Sequence, residues 1–408
     1  MDGNKPEKPE KPERPRNMKQ KVENLKPVIE PNNASGYVNF PVGGNQSSVA
    51  KPDISDYKIP KSLDINTDEL NKQLDSLIIE SQDLKTPVTE DALDSIALVQ
   101  SPLPHFAFGF LQTITNNFCD IPYSSGGNKI GAGAFGSVYY GRLNGQLGLV
   151  NEGVAVKRIG RDMVTNEEQF NNEVEIMGLV SHDNLLTLLA YSCDGDDLCL
   201  LYPYMENGSL EDRLAMKVKG KSPLTPMQRL KIAYGAAAGI QHLHSASHTK
   251  PLVHRDIKTA NILLDSNNEP KVGDFGLVRL GGGGEMRVST VLTQTVVGTS
   301  AYMAPEAVRG EVTVKLDVFS FGVVLLELLT GLPAMDQDRE IRDLVGHLEE
   351  VVEDEADIEK VLDKKFSLME WRQVSPKQIY EIAQKCLLKK RERPFISDVN
   401  EMLIMLYH

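Results

Sequence analysis

The chain has 408 residues, of which 41% are hydrophobic and 25% charged, and its formal net charge is −13. This length allows two or three domains, since one domain takes roughly 100–200 residues. The negative charge argues against non-specific binding to nucleic acids, which relies on basic patches. The longest apolar run, at 318–329, is shorter than the roughly 20 residues that span a bilayer.

Cysteine usage and targeting signals predict a soluble, intracellular protein. The four cysteines show no paired short spacing of the zinc or redox kind, so reduced thiols in the cytosol are expected. No secretory hydrophobic region follows Met1, and Asp2 at the second position excludes N-myristoylation.

Residues 1–104 lack the composition of a folded core. This segment holds 12 of the 22 prolines but only three of the 25 aromatic residues. Because so little apolar surface cannot offset chain entropy, the segment is predicted to be largely disordered. A short helix is predicted at 67–84, with leucine and isoleucine near one face. It is either a partner-docking helix or a marginal, transient one.

Three glycines in the stretch KIGAGAFGSVYYGRL (129–143) stand in the order G-x-G-x-x-G: Gly131, Gly133 and Gly136. Glycines let backbone N–H groups approach phosphate oxygens, because no Cβ is in the way. The β-prone residues that follow predict a hairpin rather than the strand-to-helix turn of a dinucleotide fold. On this segment alone, an ordinary glycine-rich turn remains the alternative.

A lysine and a glutamate further along are predicted to pair. Lys157 lies in an apolar strand, GVAVKRI (153–159), where a lone lysine usually extends to solvent. In the next helix, Glu173 falls on the apolar stripe that includes Phe170 and Met177. A carboxylate facing a core requires a cation. We therefore expect a Lys157–Glu173 ion pair that directs the ammonium towards a phosphate.

Polar residues in HRDIKTANILLD and KVGDFG are predicted to form one catalytic site. A capped helix that begins at Thr225 delivers the chain to this stretch. Transfer of a γ-phosphoryl group needs a divalent metal, and the oxygens of Asn261 and Asp274 suit Mg²⁺. Asp256 is suited to accept the proton of the attacking hydroxyl, and Lys258 to offset charge on the transferred group. A loop aspartate is usually only a turn former, but the joint occurrence favours catalysis.

With these residues assembled, the chain resembles the eukaryotic protein kinase family over roughly residues 120–405. The motifs that carry the resemblance are the glycine loop (131–138), the VAVK lysine (Lys157), HRD (254–256), DFG (274–276), APE (304–306), DVFSFG (317–322) and Arg393, which matches the partner of Glu306. The resemblance implies an α+β, two-lobed kinase fold at 105–408. A small β-rich lobe with one main helix (about 105–202) precedes a larger, mainly helical lobe (about 206–408).

The resemblance also implies ATP as the phosphoryl donor and Mg²⁺ as the metal. The expected catalytic residues are Lys157, Glu173, Asp256 and Lys258, and the expected metal ligands are Asn261 and Asp274. The residues expected to hold the nucleotide are Ile130, Gly131, Gly133, Gly136, Val138, Ala155, Lys157, Tyr202, Met205, Lys258, Asn261, Leu263 and Asp274. In this family pattern, Tyr202 is the gatekeeper before the hinge at 203–205.

Finer features narrow the resemblance. IKTAN after HRD is similar to serine/threonine kinases rather than tyrosine kinases. TITNNF (113–118) resembles the group of plant receptor-like kinases, Pelle and the interleukin-1 receptor-associated kinases. LCLLYPYMENGSLEDRL (198–214) is most similar to the last group, and there to its fourth member. This implies Toll and interleukin-1 receptor signalling in the cytoplasm. The implied partners are protein substrates, receptor-proximal adaptors and related kinases, with transient self-association for trans-autophosphorylation.

One departure and two alternatives stay open. That group carries an N-terminal death domain, whereas residues 1–104 lack the aromatic residues and helical patterns of such a domain, which puts recruitment through it in doubt. The alternatives to an active kinase are a kinase-fold scaffold with little activity and a receptor-kinase fragment without its membrane anchor. The intact Lys157, Asp256, Asn261 and Asp274 argue against the scaffold.

The loop between DFG and APE carries the residues expected to regulate activity. Four consecutive glycines (281–284) raise the entropy cost of ordering this loop. The resemblance favours Thr290 and Thr293 as phosphorylation sites, whose added charge would bind Arg255. The unphosphorylated protein is therefore expected to be slow. Polar loop residues without a switch role are the alternative.

Overall fold

The computed structural model describes residues 103–133, 136–161, 164–195, 197–246, 251–280, 300–354 and 357–408. Residues 1–102 of the segment predicted to be disordered (1–104), the predicted helix at 67–84, and Thr290 and Thr293 lie outside these residues. Within the described ranges, no helix combines the length and the apolar character needed to cross a membrane.

The smaller lobe is built on an antiparallel sheet of five strands in the order β1-β2-β3-β5-β4. Its elements in chain order are α1 (Phe108–Ile114), β1 (Lys129–Gly133), β2 (Gly136–Asn144), β3 (Val150–Gly160), α2 (Val164–Leu179), β4 (Ala190–Ser192) and β5 (Asp197–Pro203). The glycine stretch forms the β1–β2 hairpin, in which Gly133 pairs with Gly136. The predicted hairpin is confirmed.

Alternation along β3 gives the sheet an outer and an inner face. Val154 and Val156 are fully buried in an apolar cluster with Leu111 of α1. Because successive strand residues point to opposite faces, Ala155 and Lys157 lie on the inner face. Covering the outer face with α1 therefore leaves the inner face for the site.

The larger lobe is mainly helical. Its helices are α3 (Leu210–Leu214), α4 (Pro226–Ser245), α5 (Lys315–Thr330), α6 (Leu344–Val351), α7 (Ile358–Val361), α8 (Leu368–Arg372), α9 (Pro376–Leu387) and α10 (Ile396–Tyr407). Its short strands are β6 (Leu252–Val253), β7 (Ile262–Leu264), β8 (Pro270–Val272) and β9 (Arg279–Leu280), paired as β6-β9 and β7-β8. The predicted two-lobed α+β kinase fold is confirmed.

Two helices of the larger lobe position the catalytic segments. α4 begins with the predicted capping box, in which the side chains of Thr225 and Gln228 each accept a hydrogen bond from the other's backbone N–H. α5 contains the apolar run of the sequence and is buried on nearly all sides, packed against α4 and α9. Two of its buried residues, Asp317 and Glu327, are acids.

Candidate active site

Lys157 joins two carboxylates that come from different parts of the chain. Its Nζ lies 3.0 Å from Glu173 Oε2 and 2.8 Å from Asp274 Oδ1. Burial alone would lower the pKa of Lys157, but the two negative charges raise it above its ordinary value. The ammonium therefore stays charged inside the site. The Lys157–Glu173 pair expected from the sequence is present, and Asp274 completes a triad.

Tyr202 makes a contact that the sequence did not predict. Its hydroxyl donates a hydrogen bond of 2.5 Å to Glu173 Oε1, and only 5% of the residue is exposed. The signal for this contact was available, because Tyr202 pairs with Ala155 on β3, two residues from Lys157. Burial, with the charge of Glu173, raises the pKa of Tyr202 well above its ordinary value. The tyrosine therefore acts as a neutral donor that fixes Glu173.

Asp274 is held in an uncommon backbone conformation. Its φ of 67° and ψ of 72° lie in the left-handed region, which non-glycine residues rarely adopt. The amide of Asn172 on α2 donates to the carbonyls of Phe275 and Gly276, at 2.8 and 3.2 Å. Phe275 is itself fully buried. These contacts fix the strained residue, as is common at functional sites.

Asp256, Lys258 and Asn261 form a second group of contacts. Lys258 Nζ lies 2.6 Å from Asp256 Oδ2. Asn261 Nδ2 donates to the backbone carbonyl of Asp256 at 2.8 Å and to its Oδ2 at 3.0 Å. The backbone N–H of Gly273 donates to the Asn261 carbonyl at 2.9 Å, which brings this loop beside Asp274. The structure therefore brings together the segments that carry Asp256, Lys258, Asn261 and Asp274, and their shared catalytic role stays a prediction.

Asp317, the first residue of the DVFSFG motif, anchors the HRD segment through contacts that the sequence did not predict. Its carboxylate accepts hydrogen bonds of 2.8 Å from the backbone N–H groups of His254 and Arg255. His244 Nε2 lies 2.8 Å from the same carboxylate. Burial alone would raise the pKa of Asp317, but His244, His254 and the Arg255 N–H hold it below its ordinary value. The anchor holds Arg255 at a φ of 71°.

Several of the residues expected to hold the nucleotide lie on the sheet or on segments that pack against the same apolar cluster. Val138 on β2 pairs with Lys157, and Gly131 pairs with Val138. Ala155, Met205 and Leu263 pack against the same apolar cluster as Tyr202. The remaining residue of the apolar group, Ile130, is half-buried on β1. Val138, Ala155 and Tyr202 therefore lie beside Lys157 in the sheet.

Only one glycine of the loop is required by the backbone itself. Gly136 has a φ of 143°, and a Cβ placed there would lie 2.0 Å from the Arg158 carbonyl oxygen. At Gly133 a Cβ would meet no described atom within 4 Å, and at Gly131 its nearest contact is 3.9 Å from Val138. Gly131 and Gly133 therefore leave open space where a ligand could approach the backbone.

Replacing Gly136 with alanine is expected to destabilise the protein by about 1–3 kcal/mol, because the strand must shift and the conformation suits glycine. The matched variant Gly133→Ala should change stability by no more than about 0.5 kcal/mol. Urea unfolding of both variants measures the difference. Equal stabilities of the two variants would contradict the steric argument.

The donor set fits a hard divalent cation. Asp274 supplies a carboxylate whose side chain is 28% exposed. Because Nδ2 of Asn261 makes both bonds to Asp256, the amide oxygen is the atom suited to a metal. Mg²⁺ typically takes one or two protein oxygens and completes its shell with water and phosphate. Asn261 and Asp274 therefore fit the expected ion.

Comparison with known proteins shows which protein family the chain belongs to. The sequence matches the protein kinase domain family over residues 124–403. This match covers more than half of the chain, which therefore belongs to the protein kinase family. Relatives of known name place its domain among the serine/threonine-protein kinases.

Three relatives illustrate this class. The Pelle-like serine/threonine-protein kinase pik-1 of Caenorhabditis elegans is 43% identical over 249 residues, which cover 58% of this chain and 50% of pik-1. Probable serine/threonine-protein kinase PBL21 of Arabidopsis thaliana is 43% identical over 245 residues, covering 58% and 60%. The EPD1-interacting receptor-like cytoplasmic serine/threonine-protein kinase of Nicotiana benthamiana is 35% identical over 345 residues, covering 83% and 72%. The chain thus spans only half to three fifths of the first two relatives.

Proposed function

We propose that the chain transfers the γ-phosphoryl group of ATP to serine or threonine hydroxyls of protein substrates. The observation that carries this proposal is the clustering of two groups. Lys157 is held between Glu173 and Asp274, and Asp256 is bound by Lys258 and Asn261. The first group suits phosphate binding, and the second suits the attacking hydroxyl.

Each residue has a proposed role in the transfer. Glu173 and Tyr202 fix Lys157, whose ammonium binds phosphate oxygens. Asp256 accepts the hydroxyl proton, and Lys258 offsets charge on the transferred group. Bound at Asn261 and Asp274, Mg²⁺ would neutralise phosphate charge. The apolar residues proposed to hold the base are Ile130, Val138, Ala155, Met205 and Leu263, and the loop at Gly131, Gly133 and Gly136 covers the phosphates.

We further propose regulation by phosphorylation of Thr290 or Thr293. Arg255 is half-buried. Burial is the main cause that lowers the pKa of Arg255, and the charge of Arg279 lowers it further. Two guanidinium groups whose charges act on each other favour a bound anion. A phosphate on Thr290 or Thr293 would supply that anion and offset the repulsion between the two guanidinium groups.

The proposed setting is cytoplasmic signalling downstream of Toll and interleukin-1 receptors, with the catalytic domain at 105–408. The name of the relative pik-1, a Pelle-like kinase, supports a relationship to the Pelle group. The narrower similarity to the fourth interleukin-1 receptor-associated kinase rests on 198–214. Partners in this setting would be receptor-proximal adaptors, related kinases and a second copy of the chain.

Labelled ATP tests the proposed activity. Wild-type protein should incorporate phosphate into serine or threonine of itself or of a protein substrate, with Mg²⁺ present. Asp256→Asn should reduce kcat by about 10²- to 10⁴-fold, since general-base catalysis contributes that much. Mapping the phosphorylated residues separates serine/threonine from tyrosine preference. No incorporation by activated wild type, or equal incorporation by both proteins, would favour the scaffold.

A further inference from the structure

Glu327 on α5 is a buried acid whose hydrogen-bond partners are all neutral. Only 3% of the residue is exposed. Tyr302 Oη donates to its Oε2 at 2.7 Å, and Thr259 Oγ1 lies 3.2 Å from its Oε1. Thr259 Oγ1 and Tyr302 Oη are also 3.1 Å apart. The backbone N–H of Ala334 donates to Oε1 at 3.2 Å. The three side chains therefore form a closed triangle of contacts.

Three contacts in this triangle require three hydrogens. Each hydroxyl carries one hydrogen and a carboxylate carries none. With Glu327 ionised, both hydroxyl hydrogens point at the carboxylate, and the Thr259–Tyr302 contact has no hydrogen left. A protonated Glu327 adds the third hydrogen. Each of the three groups then donates once and accepts once around the ring.

The surroundings of Glu327 favour the protonated form. Burial raises its pKa to about 8, although the hydrogen bonds from Tyr302, Ala334 and Thr259 act in the opposite direction. The charge that acts on it from α3 is Glu211, another acid, which raises the pKa further. Asp317 on the same helix is the contrast. Burial alone would raise its pKa, but His244, the charge of His254 and the Arg255 N–H hold it below its ordinary value.

The triangle joins two segments that the proposed reaction needs. Thr259 begins the turn Thr259–Asn261, directly after Lys258. Tyr302 ends the turn Ser300–Tyr302, which follows the loop carrying Thr290 and Thr293. Ser320 Oγ of α5 also donates to the Tyr302 carbonyl at 2.7 Å. Helix α5 thereby holds the end of the regulatory loop against the catalytic loop.

We propose that Glu327 is a positioning residue that, in its neutral form, closes a hydrogen-bonded ring with Thr259 and Tyr302 and so orients the catalytic loop. This inference rests on the proposed kinase activity. Ionisation of Glu327 removes one hydrogen from the ring, so the catalytic loop loses a restraint as the pH rises. The ring does not touch ATP, and its loss should lower kcat more than it raises KM for ATP.

The pH profile of kcat distinguishes this role from a merely structural one. Wild-type kcat should decline as the pH rises through about 8, as Glu327 loses its proton. Glu327→Ala and Tyr302→Phe should lower kcat about 10- to 100-fold. Glu327→Gln, whose amide supplies a hydrogen, should recover most of the alanine loss without the decline near pH 8. Ser320→Ala, outside the ring, should keep the decline at the wild-type pH.

Difference infrared spectra give a readout that needs no catalysis. Wild-type protein at neutral pH should show the carbonyl band of a protonated carboxyl that disappears at alkaline pH and is absent from Glu327→Gln. Two results would contradict the proposed ring: active protein that lacks this band, or a pH profile of kcat for Glu327→Gln that is identical to the wild-type profile. Inactive protein that shows the band would overturn the kinase activity and the positioning role but leave the neutral carboxyl standing.

Discussion

Replacing Lys157 with methionine is expected to abolish measurable phosphoryl transfer and to destabilise the protein by about 3 kcal/mol, the lower end of the range for broken buried pairs. The side chains of Lys157 and Glu173 are only 16% and 2% exposed. The substitution therefore leaves Glu173 and Asp274 without their shared cation. Tyr202 still donates to Glu173, which keeps the loss near the low end.

The stability loss in Lys157→Met should depend on pH. Burial alone would raise the pKa of Asp274, but Lys157 holds it below its ordinary value. A carboxyl with a lowered pKa contributes stability above its unfolded-state pKa and loses it as the pH falls through the folded-state pKa. The difference between wild type and variant should therefore be full at neutral pH and shrink in acid.

Urea unfolding and labelled-ATP turnover measure the two effects of Lys157→Met. Lys217→Met is the matched control, because Lys217 pairs with Asp212 at 3.8 Å with side chains 64% and 43% exposed. Such a pair contributes about 0–1 kcal/mol. Similar stability losses in the two variants, or kinase turnover retained by Lys157→Met, would contradict the assigned role of the lysine.

The parts of the site that the sequence predicted are those that local patterns encode. The hairpin at the glycine loop follows from β-prone residues after the third glycine. The Lys157–Glu173 pair follows from a carboxylate on the apolar face of a helix, which requires a cation. The remaining polar residues lie within one short stretch of sequence, 256–274, so most folds would keep them close together: Asp256, Lys258, Asn261 and Asp274.

The parts that could not be predicted are contacts between distant segments. Asp317 stands directly before the apolar run at 318–329 and Glu327 stands within it, so both positions indicate burial with a partner. Which partner each finds depends on how α5 packs under the catalytic loop, more than 60 residues away in the sequence. The same holds for Asn172, which reaches the carbonyls after Asp274 from α2. No local pattern specifies these pairings.

Arg393 is the second position where a large effect is expected. Its Nη1 lies 2.5 Å from Glu306 Oε1, and the two side chains are 1% and 8% exposed. Arg393 also donates to the carbonyls of Leu388 and Lys315. Its guanidinium lies 5.0 Å from the ring of Phe319 on α5. Four interactions therefore depend on one side chain.

Arg393→Met should lower the free energy of unfolding by about 3–5 kcal/mol, because Glu306 is left as a buried, unpaired charge. That is a large fraction of the roughly 5–15 kcal/mol typical of a folded domain. Glu306→Gln, which keeps the shape and removes the charge, should cost about 1.5–3 kcal/mol. Urea unfolding measures both changes.

The double variant separates the ion pair from the other contacts of Arg393. In a Glu306→Gln background, Arg393→Met should cost about 0.5–3 kcal/mol less than in wild type, since no charge is left unpaired. The remaining loss, about 1–3 kcal/mol, comes from the carbonyls of Leu388 and Lys315, which still lose their donor.

The same cycle on the exposed pair of Glu359 and Arg372 is the control. Their side chains are 41% and 70% exposed, so the coupling energy should be only about 0–1 kcal/mol. Equal coupling energies in the two cycles would contradict the role of burial in the Glu306–Arg393 pair. The stability loss in Arg393→Met would then come from the carbonyl contacts alone.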